Sequence, residues 1–267
     1  MTLLEVRNLT VRFGDNIVVN DVSFDVATGG RLGIIGESGS GKTMAMLAVL
    51  GVLPSGAEVS GSIRCDGVEL VGADEDVRRS VRGRTIGMVF QEPLTALNPL
   101  MRVDRQIGWP LRLHHGMSRR DADTAAVEWC ARVGLDEPER IARRLPHEMS
   151  GGQRQRIGLA IALAAKPRLL IADEPTTALD VTVQDDILRL LDSLVDGEGL
   201  SLVFVSHDLG VVARMARDIA VMRSGRIVEQ RPTGELFERA EDPYARALIE
   251  SARRGTVDLR RLLRGES

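Results

Sequence analysis

Lys42 lies in Gly36-Glu37-Ser38-Gly39-Ser40-Gly41-Lys42-Thr43, and it and Lys166 are the only lysines among 35 basic residues. Everywhere else the chain uses arginine. A compact ammonium on a flexible stem fits between phosphate groups where a planar guanidinium fork does not. The spacing G-x-x-x-x-G-K-[ST] makes a phosphate-binding loop. Its backbone N–H groups wrap the phosphates, its lysine reaches the β- and γ-phosphates, and the Thr43 hydroxyl reaches Mg²⁺.

Three further constellations could act with that loop. Asp173-Glu174 follows the apolar run Leu169 to Ala172. Adjacent carboxylates there suit two tasks: Asp173 in the Mg²⁺ shell, and Glu174 orienting or deprotonating an attacking water. Ser150-Gly151-Gly152-Gln153 opens a helical segment. A serine cap followed by two glycines leaves N–H groups and a positive dipole end open to an anion, although a plain helix cap would look the same. His207, in Ser206-His207-Asp208 at a strand end, reads as functional, although a lone histidine is usually structural. His114, His115 and His147 lack such support and read as surface or packing residues.

The elements that must position these groups follow from periodicity. Leu4–Arg7, Leu9–Phe13 and Val22–Val26 alternate as half-buried strands. Arg31–Ile35 reads as a buried strand running into the loop, and Thr43–Leu53 as the helix after it, closed by Pro54 and Gly56. A short β-rich stretch (59–70) and a strand over 85–90 come next. From residue 92 to about 165 the pattern turns helical, punctuated by prolines at 93, 99, 110, 138 and 146. Buried strands at 168–172 and 201–206, a helix at 181–194 and a hairpin around Ser224-Gly225 restore the α/β pattern.

Bulk properties narrow the class. The chain is 43% hydrophobic and 27% charged, with a formal net charge of −3, and no basic block flanks the loop, so no nucleic-acid face is expected. Cys65 and Cys130 are isolated, which fits a reducing compartment. Charged residues enter at once, unlike a signal peptide, and the longest apolar run, 157–165, is too short to span a bilayer.

The order Gly36–Thr43, Gln91, Ser150–Gln153, Leu170–Glu174, Ala178-Leu179-Asp180 and His207 resembles the nucleotide-binding subunits of ABC transporters, over nearly the whole chain. The resemblance implies an α/β P-loop NTPase fold with a RecA-like core, an N-terminal antiparallel β-subdomain and an inserted helical subdomain. It implies an ABC ATPase domain over 1–250, with the helical part at about 92–165, and a short arginine-rich tail at 251–267. ATP and Mg²⁺ are the implied ligands. Phe13 matches the aromatic that stacks on adenine. Gln91 matches the residue that touches Mg²⁺ or the attacking water. Asp180 would contact a partner across a dimer, and His207 would bond the γ-phosphate. ATP would close two such subunits head to tail, each Ser150 helix facing the ATP held by the other.

Phe90–Pro99, Asp173–Gln184 and Asp242–Leu248 look like the oligopeptide, dipeptide and nickel importer family, and Gly51–Pro54 with Arg82-Gly83 resemble the first of its two paired ATPases. This implies a second homologous ATPase subunit, two transmembrane permeases, a periplasmic or lipid-anchored solute-binding protein, and a peripheral position on the cytoplasmic face of a bacterial membrane. The cysteine-rich tail that holds an iron–sulfur cluster in longer relatives is not matched, so no such cluster is expected. Leu94, Leu97, Leu100 and Met101 would either offer an apolar surface to the permease or pack in the core. The competing readings are a soluble ABC ATPase acting on ribosomes or nucleic acid, and a regulatory subunit that binds ATP without turnover. The intact Glu174 and His207 argue against the second.

Overall fold

β1 (Thr2–Phe13) is a single strand where the alternation predicts two, because Asn8 takes a left-handed backbone (φ 48°) and bulges rather than ending it. Asparagine tolerates that conformation, and Asn8 Nδ2 donates to Asp21 Oδ1 at 2.8 Å. Opposite the bulge stands Gly61 (φ 100°), where a Cβ would fall 2.5 Å from the Asn8 carbonyl oxygen. Only glycine lets the neighbouring strand pass so close. The computed structural model describes residues 1–91, 97–177 and 179–255. They form two compact units: Met1–Arg78 with the segment from Ser201 onward, and Arg79–Leu200.

In the first unit, β1 pairs antiparallel with β2 (Asn16–Ala27) and β4 (Ala57–Cys65), and β5 (Val68–Glu69) lies outside β4. Leu4, Val6, Leu9, Val11, Phe24 and Ile63 are buried, each contributing about 1.5–3 kcal/mol of transfer free energy. A second group of strands is parallel. β3 (Arg31–Ile35) lies between β8 (Ser201–Ser206) and β9 (Asp218–Arg223), and β10 (Arg226–Pro232) pairs antiparallel with β9. Every residue of β8 is buried, as in a strand covered on both faces. At Gly33 in β3, a Cβ would lie 2.2 Å from Val212 Cγ1 of helix α8 (Leu209–Met215), so the missing side chain sets how closely that helix packs.

The loop helix α1 (Lys42–Leu50) stops three residues short of the expected Leu53. Gly51 (φ 64°) ends it, its N–H bonding Ala48 O at 3.0 Å while Val52 N–H bonds Leu47 O at 3.0 Å. A short helix α2 (Glu75–Val81) leads toward the second unit.

There, β6 (Ile86–Val89) and β7 (Leu169–Asp173) pair in parallel. Among the described residues, four α-helices fall in the stretch expected to be helical: α3 (Val103–His115), α4 (Arg119–Arg132), α5 (Pro138–Ala142) and α6 (Gly151–Ala164). Pro110 does not punctuate but sits inside α3, whose buried Val103, Ile107 and Leu111 hold it together across the lost hydrogen bond. Pro138 does open a helix. The long α7 (Val181–Glu198) follows, capped by Asp180 Oδ1, which accepts from Val183 N–H at 3.0 Å. The last described elements are α9 (Thr233–Arg239) and α10 (Pro243–Gly255). Among the described residues no helix is long and apolar enough to cross a membrane. Cys65 and Cys130 are both buried, and among the described residues neither is in a disulfide.

Candidate active site

The phosphate loop is built by the first unit. β3 delivers the chain into Gly36, where a Cβ would fall 2.1 Å from the Met222 carbonyl oxygen of β9. Gly39 (φ 79°) and Gly41 (φ 100°) turn the loop back into α1. A Cβ at Gly41 would meet Val18 O of β2 at 2.5 Å. Both flanking glycines of the motif are therefore fixed by neighbouring backbone as well as by the turn itself.

Lys42 is 5% exposed, and its ammonium donates to Gly36 O at 2.7 Å and Glu37 O at 2.9 Å. Ser40 Oγ is buried and has no hydrogen-bond partner among the described residues. A buried cation beside an unsatisfied hydroxyl and a glycine-lined turn at a helix start fits an anionic phosphate group. Thr43 sits half-buried one residue into α1. Phe13 is half-buried at the end of β1, paired with Asn16 and Ala57. Ser206 is the register partner of Ile35, so His207 leaves the sheet beside the start of the loop, and it is exposed. Asp208 caps α8 behind it, accepting from Gly210 N–H at 2.8 Å and Val211 N–H at 3.2 Å.

The second unit brings together Gln91 and Glu174. β7 is buried along its whole length and ends in Asp173, itself 1% exposed. Glu174 then adopts φ 45°, a left-handed backbone that costs a side-chain-bearing residue about 1–2 kcal/mol. Its carboxylate Oε2 accepts from Thr177 Oγ1 at 2.8 Å and from Gln91 Nε2 at 3.2 Å. Strain of this kind, held by neighbours that orient the carboxylate, is a feature of reactive sites.

Ser150 caps α6 and Gln153 completes a capping box: Ser150 Oγ accepts from Gln153 N–H at 3.2 Å and Gln153 Oε1 accepts from Ser150 N–H at 3.1 Å. Gly152 lies against α7, where a Cβ would meet Val183 Cγ1 at 2.8 Å, and Gly151 lies against Leu179. Among the described residues no group of three or more His, Cys, Asp or Glu side chains is placed to hold a metal ion by itself.

Sequence reasoning passed over several residues here. Val18, Met222 and Gly225 touch the phosphate loop only through the fold, with no local signal; Gly225 N–H donates to Ser40 O at 3.0 Å. Thr177 and Tyr244 stand inside segments that resemble the importer family, with no local sign of a role in the site. Leu97 is 3% exposed and belongs to the core rather than to a docking surface. Leu100 is 89% exposed, while Leu94 and Ala178 lie outside the described residues, as does the tail beyond 255.

Comparisons with known proteins agree with this architecture. Residues 19–177 match the ABC transporter family. The oligopeptide transport ATP-binding protein OppD of Bacillus subtilis is 44% identical over 255 residues, covering 93% of this chain and 71% of that protein. The dipeptide transport ATP-binding protein DppD of Lactococcus lactis is also 44% identical over 255 residues, covering 93% and 73%. The ATP-binding cassette MJ0796, solved as a dimer in a post-hydrolysis state bound to ADP and Pi, superposes with a TM-score of 0.75 at 30% identity, over 86% of this chain and 98% of that one. The chain belongs to the ABC transporter family, as one of its ATP-binding subunits that hydrolyse ATP to power transport.

Proposed function

We propose that this chain is the ATPase subunit of a bacterial peptide importer, working as a pair with a second homologous ATPase beneath two membrane permeases and served by a solute-binding protein. The names of OppD and DppD support the solute class. The dimeric state of MJ0796 supports pairing. Such a subunit sits on the cytoplasmic face of the membrane.

In this reading the loop Gly36, Glu37, Ser38, Gly39, Ser40 and Gly41, with Lys42 and Thr43, wraps the ATP phosphates, and Phe13 packs on the adenine. Thr43, Gln91 and Asp173 would hold Mg²⁺, which when bound neutralises charge on the phosphates. Glu174 orients or deprotonates the water, His207 bonds the γ-phosphate, and Asp180 contacts the partner subunit. The Ser150–Gln153 helix start offers its N–H groups to the ATP held by that partner.

The observation that carries the reading is the Glu174 carboxylate held by both Gln91 and Thr177 on a left-handed backbone. Glu174→Gln in the assembled transporter is expected to lower ATP turnover by about 10²–10⁴-fold while nucleotide binding persists. Unchanged turnover refutes the assigned role. Uptake of labelled peptides, compared with Ni²⁺, in a strain deleted for this subunit and then complemented reads the solute. Restoration of Ni²⁺ uptake alone would overturn the peptide assignment.

A further inference from the structure

The C-terminal helix α10 begins against the phosphate loop, and a chain of buried polar contacts fixes where it begins. Glu229 of β10 is 8% exposed, and its carboxylate accepts from the backbone N–H groups of Glu241 and Asp242, each at 2.9 Å, and from Arg231 Nε at 2.7 Å. Asp242 Oδ1 then accepts from Tyr244 N–H at 2.8 Å and Ala245 N–H at 3.3 Å, with Pro243 in the first turn.

Tyr244, 7% exposed, is thereby set at the helix start, and the Arg223 guanidinium lies 4.8 Å from its ring centroid. Its hydroxyl accepts the Glu37 N–H at 3.0 Å, across 207 residues of sequence. Burial raises the phenol's pKa, and the Glu37 carboxylate adds to this against the Glu37 amide and Arg223. The hydroxyl therefore stays protonated at neutral pH.

We propose that Tyr244 is a positioning residue for the nucleotide: by holding the Glu37 amide it fixes the entry of the phosphate loop, so the loop is ordered by folding rather than by its ligand. The proposal rests on Gly36–Thr43 being the ATP site. A preorganised loop binds more tightly because less conformational freedom is lost on binding. The brace touches neither the water nor Glu174, so it acts on ATP and ADP alike and leaves the chemical step alone.

Tyr244→Phe keeps the ring and its contact with Arg223 and deletes one oxygen. In the full chain, Kd for a fluorescent ATP analogue and for ADP is expected to rise about two- to tenfold, the range for losing one hydrogen bond. In the assembled transporter KM should rise by the same factor with kcat unchanged. Phe237→Leu, in the buried core of α9, loosens the C-terminal packing without touching the loop and should leave both Kd values at wild type. Unchanged Kd in Tyr244→Phe, a fall in kcat at unchanged Kd, or equal weakening in Phe237→Leu each overturns the brace. Lys42→Ala separates the two readings. If it loses nucleotide binding while Tyr244→Phe binds normally, only the brace fails; if it still binds normally, the loop assignment fails and the brace with it.

Discussion

Glycine at position 152 sets the spacing between the start of α6 and α7, and Gly152→Ala tests whether that spacing is structural. On an exposed helix, Gly→Ala stabilises by up to about 1 kcal/mol through backbone entropy. Here the added Cβ lands 2.8 Å from Val183 Cγ1, well inside van der Waals contact. Valine in a helix has one strongly preferred χ1, so the methyl cannot swing aside without leaving its rotamer, at about 0.5–1.5 kcal/mol. Overpacking of a fitted contact costs about 1–3 kcal/mol in total. The steric term exceeds the propensity term, and a net loss of about 1–2 kcal/mol is expected. Trp109 and Trp129, the chain's two tryptophans, both lie in the unit that contains Gly152, so urea unfolding followed by tryptophan fluorescence reads that unit directly. Val183→Ala removes the contacting methyl. In that background Gly152→Ala should be neutral or stabilising, a coupling of about 1–2 kcal/mol. Stabilisation by Gly152→Ala alone, or an identical effect in both backgrounds, refutes the argument.

Ser150→Ala removes the cap of α6 and should lower stability by about 1 kcal/mol. Ser150→Asp restores the cap but places a negative charge where phosphate is expected, so stability should recover while ATPase activity of the transporter does not; recovery of both would argue against an anion there. Glu229 tests pH linkage. Burial pushes its carboxyl up, but the amides of Glu241 and Asp242 and the Arg231 guanidinium outweigh that and hold it below the ordinary carboxylate range. A depressed pKa contributes stability that is present above the unfolded value and is lost as pH falls through the folded one. Glu229→Gln should therefore destabilise at pH 7 by about 1–3 kcal/mol, with the gap narrowing below about pH 4. A gap constant with pH in thermal unfolding would contradict the linkage.

The parallel strands were legible because burial on both faces leaves continuous apolar runs, and Ser201–Ser206 matches its predicted span end to end. The phosphate loop and Asp173-Glu174 were legible because their chemistry is local in sequence. The bulge at Asn8 was not, since a break in alternation reads the same whether a strand ends or bends there. Pro110 misled because a proline's lost hydrogen bond is visible in sequence while the packing that offsets it is not. Glu174 was expected from its type, but its left-handed backbone and its bonds to Gln91 and Thr177 depend on where β6 and β7 end.

The phosphate loop holds its shape through contacts from three distant segments. Val18 of β2 closes on Gly41, the β9–β10 turn contributes Gly225 N–H to Ser40 O, and Tyr244 receives the Glu37 amide. Lys42 joins them from within, since two of its donors bind the carbonyls of Gly36 and Glu37. The lysine is thus a strut of the loop as well as its proposed phosphate ligand. This explains more fully why arginine does not stand there. The slot between two loop carbonyls takes an ammonium with three divergent donors, whereas a planar fork with donors in one plane would have to open the loop to enter. Loss of binding in Lys42→Ala therefore combines a lost charge with a loosened loop, while Tyr244→Phe loosens the loop and leaves the charge.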